Sequence, residues 1–461
     1  MSEKSKTSTP ELLKKNQVLE CEIVRTGYNC EGIALISGIV IFVEGALPEE
    51  KVLIKIIKVT KKFAVGKLLK VIVPSPNRIK PVCGHSQCGG CQLTFVDYEY
   101  QLELKKNIIK SAFKQNAKIE SIPLQEFIKS GNRTHYRNKV IMPFSIVNNN
   151  VSVGFYAMRS HRVINTEDCV LQPEISGGIV GCLKKFIEIN RLSVYDENTG
   201  KGLFRNIMIR VNRDAEEIMT VLIINGDDLP RRTELINLLI SFNRNIKSII
   251  LCKNKSAGNV VISGNFETIY GNDYITAKLL NNNFLIGPDS FFQVNYEQTE
   301  KLYKYIFDKL STNGKYGILF DVYSGVSSIG VSLAGLSKII YCIESNPKAS
   351  MLAEKIIKIN NISNIKNISG DSSESIKKLL NSGAIPDAVI LDPPRKGCGK
   401  EELAAIAEKK VRRIIYVSCN PATLSRDSRI LMDSGYKLNS LQPVDMFPYT
   451  YHIETVADFS Y

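Results

Sequence analysis

Cys419 stands where a strand-like run meets a helix start, in Ile415-Tyr-Val-Ser-Cys-Asn-Pro-Ala-Thr-Leu-Ser-Arg-Asp427. Residues 413–417 are rich in β-branched and aromatic side chains, and Asn420 and Pro421 supply a favoured N-cap and a favoured first helical residue for a run ending near Gly435. The partial positive charge of a helix N-terminus favours thiolate, the nucleophilic form. A cysteine of ordinary pKa near 8.5 is only a few per cent ionised at neutrality, so about one unit of downward shift, or ~1.4 kcal/mol, would arm it. Taken alone, the same cysteine reads first as a small buried residue capping a strand, since free cysteine is commonly an inert core residue. Further on, Val444-Asp-Met-Phe-Pro-Tyr-Thr-Tyr-His-Ile-Glu454 leads into a last strand expected to bring His452 and Glu454 to the same sheet edge. A nucleophile with a carboxylate nearby points to covalent catalysis followed by proton removal.

Three more motifs close strands of the same C-terminal region. Asp321-Val-Tyr-Ser-Gly325-Val-Ser-Ser allows a tight turn at Gly325, and Glu344, nineteen residues later, is placed to accept both hydroxyls of a ribose. No full G-x-G-x-x-G is present, which argues against a pyrophosphate-bearing dinucleotide and leaves a nucleoside without phosphates, such as S-adenosylmethionine. Asp371 follows the third strand. Asp392-Pro-Pro-Arg395 closes the fourth, its prolines stiffening a rim where carbonyls and the Asp392 carboxylate can hold a planar base or a methyl donor. Open α/β sheets bind ligands at the carboxyl ends of their strands, and the convergence of these features there moves Cys419 from inert to catalytic.

A second chemistry appears in Cys83-Gly-His-Ser-Gln-Cys88-Gly-Gly-Cys91. Three cysteines among glycines suit a metal centre that a fourth thiolate must complete. Cys169, in Thr166-Glu-Asp-Cys-Val, is the candidate, with Cys182 the rival. A Cys₄ zinc site competes with an iron–sulfur cluster, and His85 is a weaker ligand candidate.

The elements that must position these residues follow from pattern. At 461 residues the chain is too long for one core. Residues 1–16 read as a polar tail. Short β-rich runs at 18–24, 33–36, 39–43, 52–59 and 64–71, punctuated by glycines, suggest a five-stranded barrel over 17–75, with lysines at 51, 55, 58, 61, 62, 67 and 70 that suit a nucleic-acid backbone or simply a solvated face. Pro74-Ser-Pro76 reads as a linker. A central β-rich domain over 76–300 holds an amphipathic helix at 98–115, a helix near 179–190, and a basic region of Arg133, Arg137, Lys139, Arg159, His161 and Arg162. Tyr136 and Tyr156 are interleaved there in a way suited to single-stranded bases. From 301 to 461 strands at 317–322, 338–343, 388–391 and 413–417 alternate with helices at 347–359 and 401–409, a doubly wound α/β sheet. The formal charge of +14 fits a polyanionic partner. No apolar run reaches membrane-spanning length and no signal-peptide core opens the chain, so a cytoplasmic protein is expected, its eleven cysteines serving metal or catalysis.

In this order the motifs resemble those of RNA uracil-5 methyltransferases, most of all the 23S ribosomal RNA branch that carries an extra cysteine cluster, almost from end to end. The resemblance implies a Rossmann-like class I methyltransferase domain behind a TRAM (OB-like) barrel and a central β-rich domain. It implies Cys83, Cys88, Cys91 and Cys169 as ligands of a [4Fe-4S] cluster, Cys419 as nucleophile and Glu454 as base. Through Phe291-Phe-Gln-Val-Asn295 and the motifs above, it also implies that Gln293, Tyr323, Glu344 and Asp392 contact S-adenosylmethionine, with Asp371 near its adenine. The chain departs from the family at Ser327, where a second glycine is usual, and in the four residues between Cys83 and Cys88, one fewer than the usual pattern. The function so implied is C5 methylation of a ribosomal RNA uridine by a monomer. A transfer RNA substrate, or a cluster-bearing RNA-binding protein without activity, are the alternatives.

Overall fold

The computed structural model describes residues 13–461 apart from 257, 259 and 313. Residues 1–12 of the expected tail lie outside the described residues. Leu13, also within that stretch, is buried in the barrel core, because an apolar side chain next to the first strand gains by leaving water. The described residues form two compact units, one of residues 13–84 with Cys91–Ser111 and Tyr449–His452, the other of His85–Gly90, Ala112–Pro448 and Ile453–Tyr461.

The first unit contains a six-stranded sheet in the order Val18–Glu22, Lys51–Val59, Phe63–Val73, Ile39–Glu44, Gly32–Ile36, Arg25–Thr26. Five of these correspond to the expected runs; the sixth is a two-residue strand continuing the first run beyond a break. Alternation sends Val52, Ile54 and Ile56 inward and leaves Lys51, Lys58, Lys67 and Lys70 exposed. The expected linker is not loose. The buried Glu50 carboxylate accepts from the backbone N–H of Leu47 (2.8 Å) and Ser75 (3.3 Å) and from Arg78 (2.8 Å), which ties residues 75–78 to the sheet.

The second unit holds two seven-stranded sheets. The central one runs Asn265–Gly271, Ile246–Lys253, Ile218–Ile224, Phe204–Val211, Lys139–Val147, Asn150–Tyr156, Val163–Asn165, antiparallel except between Ile218–Ile224 and Ile246–Lys253. Helices Ile175–Ile189 and Arg232–Phe242 pack with one of its faces. The second of these helices was not expected: Leu235 and Leu239, one turn apart, are its buried residues.

The other sheet runs Ile365–Ser369, Ser337–Glu344, Tyr316–Val322, Ala388–Leu391, Arg413–Ser418, Glu454–Ser460, Lys437–Val444. The first five are parallel, and Glu454–Ser460 is antiparallel to both its neighbours. Strand order reverses between Tyr316–Val322 and Ala388–Leu391, which makes their carboxyl ends the switch point where such sheets take ligands. The hairpin Ile275–Leu279 with Asn282–Ile286 buries its apolar residues in the core of this α/β half. Residues 300 and 301, where a boundary was expected, lie inside the helix Tyr296–Ser311. That helix starts where the Asn295 side chain accepts from the Gln298 N–H, so the Asn of Phe-Phe-Gln-Val-Asn is an N-cap. Among the described residues no helix is long and apolar enough to cross a membrane.

Candidate active site

Backbone register builds the site. Ser418, last residue of its strand, pairs with Thr455, so the next step along the ladder sets Cys419 against Glu454. An antiparallel strand begins at the edge where its parallel neighbours end, which is how an acid near the chain terminus reaches a sheet edge otherwise made of strand ends. On the other side Leu391 pairs with Tyr416, and Asp392 donates its N–H to the Val322 carbonyl at 3.3 Å. Cys419, Glu454 and Asp392 thus meet at one edge.

The turn after Cys419 is pinned. Asn420 caps the helix Pro421–Asp433 by accepting from the Ala422 N–H (3.0 Å), and its side-chain amide donates to the Arg395 carbonyl at 2.9 Å. Thr423 donates to the same carbonyl at 3.3 Å. Deeper in, the buried Asp427 accepts from Tyr416 (2.6 Å) and from the Cys398 N–H (3.0 Å). The Asp392–Arg395 rim and the Cys419 turn are one hydrogen-bonded piece.

The electrostatics overturn one expectation. Burial, then Glu454 and Asp392, push the Cys419 thiol up to about 11, and Arg395 opposes them. The helix N-terminus does not arm the thiol in the resting protein, because it acts against a buried, acid-lined site. Glu454 is driven well above the ordinary carboxylate range by burial and by Asp392, and burial raises Asp392 as well. Asp321 is buried and raised to about 7, chiefly by burial and in part by Asp392 and Glu344, although it accepts from the Gly330 N–H at 2.8 Å. Asp321, Asp392 and Glu454, with Glu344 beside them, suit a cation.

The turn between Val322 and Ser328 has room for a ligand. Gly325 lies at φ +57 with nothing within 4 Å of where a Cβ would stand, whereas a Cβ on Gly330 would meet Cys342 Sγ at 2.5 Å. The first glycine leaves open space and the second allows close helix–strand packing. Glu344 braces the turn by accepting from the N–H groups of Gly325 and Asn346, each at 2.7 Å, and a carboxylate has further lone pairs to offer a ribose. Ser327, in the place of the family's second glycine, adopts φ +59, the left-handed conformation that explains why glycine is usual there. Buried and without a hydrogen-bond partner among the described residues are Ser324 Oγ and Asp321 Oδ1, polar atoms at the crevice that a bound nucleoside donor would be suited to satisfy.

Of the other expected contacts, Gln293 is buried and its carbonyl accepts from the Asn138 side chain at 2.8 Å, so the central sheet anchors this motif. Tyr323 adopts φ +64 and commits its hydroxyl to Glu402, leaving its ring or backbone for a cofactor. Asp371 is an exposed N-cap that accepts from the Glu374 N–H at 3.1 Å, and Gly370 beside it donates to the Glu344 carbonyl at 2.9 Å. His452 belongs to the first unit and Glu454 to the second.

Sequence reasoning assigned no role to Phe291. It is 66% exposed beside the buried Phe292 and Gln293, and an apolar ring left in water within a motif of buried residues was the signal available. The basic region needs correction in two places. Tyr136 is buried, donating to the Pro448 carbonyl at 3.2 Å, and so is no stacking platform. Lys139 is half-buried and turned into the molecule rather than out to solvent, whereas Arg133, Arg159, His161 and Arg162 are exposed as expected. The expected metal donors are all half-buried. Cys83 and Cys91 fall in the first unit and Cys88 and Cys169 in the second. Among the described residues no group of three or more His, Cys, Asp or Glu side chains is placed to hold a metal ion, and no chemistry is assigned to one.

Residues 263–457 match the family described as tRNA (Uracil-5-)-methyltransferase, and residues 13–69 match the TRAM domain. An RNA methyltransferase of Clostridium tetani is 40% identical over 97% of this chain and 97% of its own length. One from Oceanobacillus iheyensis is 36% identical over 99% of each. Among solved structures, the tRNA (uracil-54, C5)-methyltransferase of Pyrococcus abyssi, in complex with S-adenosyl-L-homocysteine, is similar with a TM-score of 0.78 and 27% identity. The match covers 95% of this chain and 99% of that one.

Proposed function

Because the chain belongs to the RNA uracil-5 methyltransferase family and carries its TRAM domain, we propose that it methylates C5 of a uridine in 23S ribosomal RNA through a covalent bond to Cys419. The observation that carries the reading is the juxtaposition of Cys419 and Glu454 across the Ser418–Thr455 ladder, beside Asp392.

Uracil C5 is a weak nucleophile. Addition of the Cys419 sulfur to C6 places an electron pair on C5 and O4 as an enolate, and C5 then takes the sulfonium methyl of S-adenosylmethionine, releasing S-adenosylhomocysteine. Glu454 removes the remaining C5 proton, the C6–S bond breaks, and the thiolate leaves. The raised thiol and raised Glu454 of the resting site fit this order, since an arriving sulfonium stabilises both anionic forms. Glu344, Gln293, Tyr323, Asp371 and Asp392 are assigned to the donor. The target base must leave its stack, at a cost of a few kcal/mol, and the exposed barrel lysines with Arg133, Arg159 and Arg162 offer phosphate contacts that offset it.

Transfer RNA is the second reading, favoured by the substrate named for the Pyrococcus abyssi enzyme. Labelled transcripts of each RNA, incubated with labelled methyl donor, decide between them. Cys419→Ala is expected to abolish methylation while retaining donor binding, and Glu454→Gln to accumulate a methylated protein–RNA adduct seen as a retarded band on denaturing gels. Turnover by Cys419→Ala would remove the mechanism. A [4Fe-4S] cluster on Cys83, Cys88, Cys91 and Cys169 is carried by the resemblance alone. About four irons per chain after anaerobic purification is expected, and tightly bound zinc without iron would replace the assignment.

A further inference from the structure

Two cations lie against the segment that carries Gln293. In the central sheet Arg210 pairs directly with Lys139, and directly opposed residues project from the same face. Met208, two residues before Arg210 and on its face, belongs to the core of the α/β half, whereas Val140, Met142, Ile207 and Ile209 enter the core on the opposite face. Both cations therefore face the α/β half. Arg210 donates through Nη2 to the backbone carbonyl of Ser290, three residues before Gln293.

These charges are poorly compensated. Arg210 is 3% exposed, and its Nε has no hydrogen-bond partner among the described residues. Burial and the neighbouring Arg210 push Lys139 down to about 7, with Asp289 opposing. Asp289 itself pairs with Lys348 at 3.3 Å. Two cations side by side away from water are costly unless an anion joins them.

The crevice has the complementary deficit. Its sheet edge offers Asp321, Glu344, Asp371, Asp392 and Glu454, a set that suits the sulfonium and ammonium of S-adenosylmethionine and repels its carboxylate. Lys348, on the helix that follows Glu344, brings Asp289 and hence the 287–293 segment to the ribose side of the crevice.

We propose that Lys139 and Arg210 form a carboxylate subsite, supplied by the central sheet, that binds the α-carboxylate of the methyl donor's methionyl group. This rests on the donor assignment made above. It gives the central sheet a part in cofactor binding as well as in supporting the Gln293 motif.

Calorimetric titration of the full chain with S-adenosylhomocysteine and with its decarboxylated analogue, which differs only in that carboxylate, tests it. The wild-type protein is expected to prefer S-adenosylhomocysteine by about 10- to 100-fold, the worth of a charge-assisted hydrogen bond. Lys139→Gln should abolish most of that preference while leaving affinity for the decarboxylated analogue unchanged. Arg210→Gln should do the same where it folds; the wild-type comparison needs no variant. Equal affinity of the wild-type protein for the two ligands would overturn the proposal, as would Lys139→Gln weakening both alike. A preference retained in Lys139→Gln, with weaker RNA binding and a shallower salt dependence, would overturn it in favour of a backbone phosphate. Failure of the wild-type protein to bind either nucleoside would instead refute the donor assignment itself.

Discussion

The resting Cys419 thiol is expected to be sluggish, and the size of the effect can be worked out. At pH 8 a thiol at about 11 is ~0.1% thiolate, whereas one of ordinary pKa near 8.5 is about one quarter ionised. The ratio is about 240-fold. A more basic thiolate is also more nucleophilic, with a Brønsted slope of about 0.45, which returns about 13-fold. Attack on a small disulfide reagent should therefore be about 20-fold slower than for a free model thiol, before any loss from restricted access. The assay follows modification of the Cys419 peptide by mass spectrometry over time, with cysteines elsewhere in the chain as internal references. Access is controlled by comparing Glu454→Gln and Asp392→Asn with the wild-type protein, since each removes a carboxylate that raises the thiol. Both substitutions should speed the reaction, tenfold in thiolate for each pKa unit recovered. The reasoning fails if wild-type Cys419 reacts at pH 8 as fast as the model thiol, or if neither substitution accelerates it.

Two other substitutions probe the crevice. Asp321 is raised to about 7 in the fold and lies near 3.9 when unfolded, so the unfolded state ionises first as pH rises. Stability is thereby lost between about pH 4 and 7, by about 4 kcal/mol at full ionisation. Asp321→Asn should accordingly raise the melting temperature of the donor-free protein at pH 8 much more than at pH 4, and a pH-independent change would contradict the assignment. Phe291→Ala should leave thermal stability nearly unchanged, because the ring is exposed. If the ring stacks on a base, worth about 1–3 kcal/mol, the RNA KM should rise by about 5- to 150-fold with donor affinity intact; an unchanged RNA KM would exclude that contact.

What could be read from the sequence was mostly what is local. The barrel runs and the α/β alternation are short-range patterns of β-branched residues between glycines, and they appear in the structure close to where they were expected. The helix Arg232–Phe242 escaped because its N-cap, Arg231, lies at φ +55 and offers no capping side chain, so the usual start signal is absent. The linker at Pro74-Ser-Pro76 misled because composition does not reveal that Glu50, 25 residues earlier, would hold Ser75. Tyr136 and Lys139 misled for a related reason. Along the chain they sit among exposed basic residues, and only the fold shows Tyr136 buried with its hydroxyl on the Pro448 carbonyl and, through strand register, Lys139 turned inward. Cys419 was correctly placed at a strand–helix hinge, yet its acidity was assigned the wrong sign. The helix N-terminus is adjacent in sequence, whereas Glu454 and Asp392 arrive through the sheet.

Under the mechanism proposed above, a thiol armed by its own helix would add to uracil whether or not a methyl donor were present, and would hold RNA in unproductive adducts. Here Asp321, Asp392 and Glu454 are buried near one another and each is raised, so a positive charge that enters the crevice favours their ionised forms. The sulfonium of S-adenosylmethionine is such a charge, and stabilising the Cys419 thiolate by even two pKa units corresponds to about 2.7 kcal/mol of coupling between donor and nucleophile. The same ladder that sets Glu454 against Cys419 prevents the pair from relieving their repulsion by moving apart, since Ser418 and Thr455 are fixed by backbone pairing between two buried strands. Charge that cannot be relieved by motion is relieved by binding, and under the proposed mechanism that would make the donor a condition of Cys419's reactivity.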